Sequence, residues 1–172
     1  MTQERQYIAN LSWQATHDAL TGLPNRRAFE RRLHDAISNA RAAGSAAAPR
    51  TLSVAFCDID HFKAINDEHG HAAGDAALTE LAGVLRATVR SSDVVGRWGG
   101  EEFLLVLVET RAAEASPLLE RLRKKIGQLA FNVGGDTQIP ITASTAPAIS
   151  ATWIRLKRCP GRSMRRAVPA RS

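Results

Sequence analysis

Four carboxylates give this sequence its chemistry. Asp58 and Asp60 stand two apart in "CDID", and Glu101 and Glu102 stand side by side in "RWGGEEF". Residues two apart at a strand end share one face, and carboxylates clustered there are hard oxygen ligands suited to Mg²⁺. A solvated strand end would need no metal. Gly99 and Gly100 precede the glutamates. Glycine reaches positive φ without steric cost and lets a ligand approach the backbone closely. A hairpin turn accounts for the glycines but does not require two adjacent acids. If the hairpin lies beside the strand bearing Asp58, three carboxylates converge, and they repel one another unless a cation neutralises them. The alternative is a charged hairpin tip.

These side chains need elements to hold them. "TLSVAFCDID" alternates Leu52, Val54 and Phe56 and reads as a strand ending in acids. "DVVGRW" and "EFLLVLV" flank the glycine pair as a β-hairpin. Its second strand is apolar on both faces and belongs in the middle of a sheet. Between them, "FKAINDEHG" is a short helical turn stopped by Gly70. "GDAALTELAGVLRATVR" repeats Leu78, Leu81, Leu85 and Val89 and is an amphipathic helix. Upstream, residues 2–16 look helical, with Ile8, Leu11 and Ala15 on one face. "TGLPN" is a turn. Asn25 can cap the helix that follows, which buries Phe29, Leu33, Ile37 and Ala40 on one face. Residues 42–50 form a loop. Leu118, Leu119, Leu122 and Ile126 mark another helix, and "AFNVGGDTQIPITAS" reads as a second hairpin around Gly134, Gly135 and Asp136. After Ser144 neither period continues, and Pro147, Pro160 and Pro169 punctuate a segment rich in Ala, Arg and Ser.

A chain of 172 residues with 44% hydrophobic content is one domain able to bury a core. No apolar run approaches the roughly 18 residues that a membrane span needs, and "MTQERQYIANL" lacks a signal pattern. A cytoplasmic chain is the expectation. Cys57 in a strand and Cys159 in the tail make no disulfide framework, which fits a reducing compartment. The net charge of +6 is uneven. Residues 152–172 hold seven Arg and Lys and no acid, leaving 16 basic and 17 acidic residues before them. The excess sits in one terminal segment, so nucleic acid is not an expected partner.

Together, "DALTGLPNRRAF", "DIDHFKAINDEHGHAAGD", "RSSDVVGRWGGEEF" and "ITAS" resemble the GGDEF family of diguanylate cyclases over residues 17 to about 144. The resemblance implies an α+β fold of the nucleotide-cyclase, ferredoxin-like kind, a mainly antiparallel sheet flanked by helices. It implies condensation of two GTP into cyclic di-GMP with release of pyrophosphate. It implies metal ligation by Asp58, the Ile59 carbonyl, Glu101 and Glu102, with Mg²⁺ as cofactor and Mn²⁺ as an alternative. Glu101 and Glu102 are the implied catalytic residues. Asn66 and Asp75 match the guanine readers, since Asp accepts from ring and exocyclic N–H groups and Asn offers both kinds of bond. Lys63 reaches the phosphates, and Gly99 and Gly100 let substrate sit against the hairpin. Phe62 belongs to the core rather than to the substrate. Because one domain binds one GTP, the family works as a homodimer. Arg90 and Asp93 match an inhibitory product site, with Arg121 as a further arginine. For that pair a surface salt bridge at a helix end is the plainer reading.

The pattern stops near Ser144. The family continues with a helix and "GRN" whose cations hold the triphosphate, whereas this chain reads "TASTAPAISATWIRLKRCPGRSMRRAVPARS". The expected division is a connector helix over 1–16, the GGDEF domain over 17–144 lacking its last helix, and a basic tail over 145–172 read out of frame. Present activity is then in question, and a non-catalytic cyclic di-GMP receptor is the alternative to a cyclase. The leading helix fits a connector to a sensory domain or partner upstream in a longer parent chain.

Overall fold

The computed structural model describes residues 7–8, 11–43, 51–128, 130–132 and 138–150. Helix α1 spans Arg26–Ala43, strand β1 Leu52–Ile59, helix α2 Phe62–His69 and helix α3 His71–Thr88. Strands β2 (Val94–Gly99) and β3 (Glu102–Val108) precede helix α4 (Ala112–Gly127). Strands β4 (Ala130–Asn132), β5 (Gln138–Pro140) and β6 (Ala143–Ser150) follow.

The main sheet has the order β2-β3-β1-β6, antiparallel at every junction. The apolar β3 therefore lies in its interior, where five consecutive residues from Phe103 to Leu107 are buried. The two-residue strand period divides the core in two. Ala55, Cys57 and Ile59 of β1 and Phe103, Leu105 and Leu107 of β3 pack under α3 and α4, against Leu78, Leu81, Leu85, Leu119, Leu122 and Ile126. Leu52, Val54, Leu104 and Val106 face the other way, onto Phe29 and Leu33 of α1. Each Val, Leu, Ile or Phe among them contributes about 1.5–3 kcal/mol of transfer free energy when fully buried. Asp58 and Glu102 share the second set's parity, so both stand at the end of the face that α1 covers.

Local signals set the helix ends. Asn25 caps α1 through a 3.0 Å bond from the Ala28 N–H to its side-chain oxygen. Gly70, at φ 84°, separates α2 from α3 in a conformation that an L side chain rarely adopts. Helix α4 starts at Ala112, earlier than the Leu118 periodicity indicates. Its first turn is fixed by the Glu114 carboxylate, which accepts the Arg111 N–H at 2.8 Å.

The leading segment is helical at Tyr7–Ile8 and Leu11–Gln14, and Ile8 and Leu11 are exposed, at 59% and 49%. One expectation changes: order continues past Ser144. Strand β6 runs to Ser150 and pairs with β1 from Ile59↔Ala143 to Ser53↔Ser150. The register slips between Val54 and Ala55, opposite Pro147 and Ile149, which leaves Ala148 as the extra residue of a bulge. Proline has no N–H for a ladder, and β6 stands last in the sheet order, where that loss is tolerated. The second hairpin is present as the antiparallel pair β4 and β5, while its turn at Gly134, Gly135 and Asp136 lies outside the described residues. Cys159 and the region expected to lack the family's last helix also lie outside them.

Candidate functional site

The sheet register brings the acids together. Asp58 at the end of β1 is the cross-strand partner of Glu102 at the start of β3. Gly99 pairs with Glu102, so Gly100 and Glu101 form the two-residue turn between β2 and β3. Burial of its inner side first, then the charges of Glu101, Glu102 and Asp60, push Asp58 up from 3.8 to about 6. Only a hydrogen bond from the Ile59 backbone pulls it the other way. Asp58 remains open to solvent, so an ion can reach it. Among the described residues no three His, Cys, Asp or Glu side chains are gathered tightly enough to hold an ion as they stand. The donor set nonetheless fits a hard divalent cation, being all oxygen, mutually repelling and accessible.

Asp60 lies beyond the strand and away from a simple pair with Asp58. Its N–H donates to the Thr142 carbonyl at 3.0 Å, and its carboxylate accepts the Ser144 hydroxyl at 2.5 Å. Ser144 is itself the β6 partner of Asp58. Cys57, one residue before, is buried, and burial pushes its thiol up to about 12.

The glycines behave differently from expectation. Neither Gly99 nor Gly100 takes a positive φ, and neither does Glu101. A Cβ at Gly100 would meet no atom within 4 Å, and one at Gly99 would meet only Glu102 Oε2 at 3.4 Å. They contribute open space rather than a special backbone conformation.

Asn66 of α2 packs closely on α3 at Gly74, the residue before Asp75. A side chain at Gly74 would collide with the Asn66 side chain and approach Phe62 Cζ at 3.1 Å. Asn66 therefore lies against α3 at Gly74, and Asp75, next in sequence, is exposed. Phe62 is partly buried against the main core, as its composition suggests. Lys63 is exposed and stands 3.9 Å from Asp67, a pair one turn apart on α2 that holds it weakly.

Arg90 and Asp93 do not form the plain salt bridge. The Asp93 carboxylate accepts two backbone N–H groups, from Arg90 at 3.1 Å and Val108 at 3.0 Å, while the Asp93 N–H donates to the Arg90 carbonyl. The aspartate thus ties the α3–β2 turn to the end of β3 and leaves the exposed Arg90 side chain outside that network. Arg121 lies on the exposed face of α4, lining a groove of about 610 Å³ with Pro117, Glu120, Lys124, Lys125 and Gln128.

Sequence reasoning gave no role to Asp18, Ser144 or Arg97. Arg97 stands inside the signature stretch, so its position was visible, but its partner lies 79 residues away. Periodicity carries no signal for such a contact.

The profile described as "Diguanylate cyclase, GGDEF domain" matches residues 15–152. The diguanylate cyclase DgcP of Pseudomonas aeruginosa is 41% identical over 137 residues, 80% of this chain and 19% of DgcP. The crystal structure of the P. aeruginosa diguanylate cyclase SiaD, in complex with its activator SiaC, aligns at a TM-score of 0.70 and 39% identity, over 83% of this chain and 52% of that one. The coiled coil and GGDEF domain of DgcB from Caulobacter crescentus, in complex with c-di-GMP, align at a TM-score of 0.73 and 29% identity, over 83% of this chain and 73% of that one. The chain thus spans 19% of the length of DgcP and 52% of the SiaD chain. No described helix is long and apolar enough to cross a membrane. With its antiparallel sheet, its carboxylate turn and a profile match over most of its length, the chain belongs to the GGDEF family of diguanylate cyclases.

Proposed function

We propose that this domain condenses two GTP molecules into cyclic di-GMP and pyrophosphate, working as a homodimer with one GTP on each subunit. The observation that carries this reading is the pairing of Asp58 with Glu102 across the sheet, with Glu101 beside them in the turn. Asp58, the Ile59 carbonyl, Glu101 and Glu102 would hold Mg²⁺, which would supply acidification of the attacking 3′-hydroxyl and charge compensation at the leaving pyrophosphate. Asp75 accepts from the guanine N1–H and N2–H groups, and Asn66 supplies a donor and an acceptor to the same base. The side-chain-free surface at Gly99 and Gly100 accommodates the nucleotide, and Lys63 supplies positive charge to its phosphates. Positioning and electrostatics, rather than covalent chemistry by the protein, carry the rate.

Product binds at the turn of Arg90 and Asp93, with Arg121 contributing, and inhibits. An arginine fork reads guanine O6 and N7. The separation of the exposed Arg90 side chain from the backbone bonds of Asp93 supports this assignment. The same separation favours a second reading, cyclic di-GMP reception without synthesis. Purified chain incubated with GTP and Mg²⁺, with Glu102→Ala beside it, decides between them. Synthesis is expected in the parent and abolished in Glu102→Ala. Product persisting in the variant refutes the site. No product in either, with cyclic di-GMP binding that is lost in Arg90→Ala, selects the receptor.

A further inference from the structure

All three guanidinium nitrogens of Arg97 donate, to two acceptors. Nε and Nη2 donate to the Gly100 carbonyl at 3.1 and 2.8 Å, and Nη1 donates to Asp18 Oδ1 at 3.0 Å. The side chains of Arg97 and Asp18 are only 16% and 24% exposed, which makes this a well-shielded ion pair and a charge-assisted one. Asp18 is itself fixed. Its Oδ1 also accepts the Thr21 N–H at 2.9 Å and the Thr21 hydroxyl at 2.7 Å. Burial works against its charge, but Thr21 and Arg97 together hold Asp18 below its ordinary value.

The turn containing Asp18 is anchored on two further sides. Arg86 of α3 donates to the Gly22 carbonyl at 2.9 Å, and the Arg97 backbone N–H donates to the Pro24 carbonyl at 3.0 Å. Gly100, by contrast, has no side chain, and nothing lies within 4 Å of where one would begin. Packing therefore does little to hold the peptide that joins Gly100 to Glu101. The orientation of that peptide sets where the Glu101 side chain leaves the backbone, and the Arg97 fork grips its carbonyl oxygen with two bonds.

We propose that Arg97 is a positioning residue for the carboxylate turn, and that Asp18 acts on Glu101 through it. The leading helical segment ends at Gln14, and a short turn over residues 15–16 and the His17 bridge connect it to Asp18. A change in the path of that segment therefore reaches the turn along Asp18, Arg97 and the Gly100 carbonyl. The catalytic part of this inference rests on the cyclase reading; the structural part does not.

The test uses the full chain with Asp18→Asn and Arg97→Lys. Asparagine keeps an oxygen for Thr21 but loses the charge that anchors Arg97. Lysine keeps the charge but cannot grip two acceptors in a fork. The ¹H–¹⁵N amide signals of Gly100, Glu101 and Glu102 are expected to move in Asp18→Asn, which touches none of them, while those of Arg90 to Asp93 stay in place. The kcat for cyclic di-GMP synthesis is expected to fall about tenfold or more in both variants. KM for GTP should change by less than kcat, because the guanine readers Asn66 and Asp75 stand on α2 and α3 rather than in the turn. Unmoved turn signals in Asp18→Asn overturn the inference, as does an unchanged kcat in an active background. If Asp18→Asn does not fold, Arg97→Lys decides by the same readouts. If the parent chain makes no product, the amide signals alone decide the inference, and the missing product counts against the cyclase reading instead.

Discussion

Replacing Asp58 with asparagine should stabilise this protein in the absence of divalent metal. The native fold raises the Asp58 pKa from 3.8 to about 6, through burial and the neighbouring Glu101, Glu102 and Asp60. The native state therefore holds the proton more tightly than the unfolded chain does. Stability falls as pH rises through the window from about 4 to 6, and the whole penalty is present above pH 6. Two pKa units at about 1.36 kcal/mol each set a ceiling near 3 kcal/mol. Solvent around the exposed carboxylate screens the repulsion, and about 1 kcal/mol is the expected effect. Asparagine keeps the shape without the charge. Urea denaturation of both proteins in EDTA should show Asp58→Asn more stable by about 1 kcal/mol at pH 7.5, equivalent to roughly 2–5 °C in Tm. The gap should shrink to less than about a third at pH 4, where the native carboxyl is protonated and the unfolded one nearly half so. Mg²⁺ should raise the stability of the parent but not of the variant, since binding to the folded state alone is stabilising. A variant less stable than the parent at pH 7.5, or a gap that does not depend on pH, refutes the idea that these acids are assembled against their own repulsion.

Gly74→Ala should raise KM for GTP several-fold with a smaller effect on kcat in steady-state assays, because the new methyl displaces the Asn66 side chain from its place against α3. The Cys57 thiol, pushed up to about 12 by burial, should resist a thiol-specific reagent at pH 8 until the protein unfolds; its labelling rate in mild urea should then follow the fraction unfolded. Asp93→Ala should lower stability by about 1–3 kcal/mol in thermal melts, since the Arg90 and Val108 N–H groups lose their acceptor. Asp93→Asn, which keeps one side-chain oxygen, should cost less.

Much of the fold was legible because its elements are locally consistent. The unbroken apolar run of "EFLLVLV" placed β3 in the sheet interior, and the heptad-like leucines of α3 placed that helix on its core. The end of the sheet was not legible. "ASTAPAIS" has small side chains and a proline, so neither period shows, and its strand conformation comes from pairing with β1 rather than from its own propensity. Asp58 and Glu102 could be foreseen as neighbours only on the condition that hairpin and strand adjoin; the register supplied that condition. The RxxD pair was visible as residues, but the alternatives weighed for it were a salt bridge and a ligand site. The structure gives the aspartate a third task, holding two backbone N–H groups.

The glycines of the signature show why a correct motif can carry the wrong physical reason. From sequence, Gly-Gly before a strand suggests φ values closed to other residues. In the structure neither has a positive φ, so sterics within the backbone do not require glycine at either position. What glycine provides at Gly100 is absence, an unoccupied volume beside Glu101. Absence does not hold a turn in place, and a turn built this way needs an external grip. The Arg97 fork supplies it from the strand before the turn, and Asp18, 79 residues away in sequence but in direct contact, braces the fork. Open space for a ligand and a fixed carboxylate are competing demands on the same two-residue turn. Taking the rigidity from a partly buried arginine rather than from packing at the turn lets both be met.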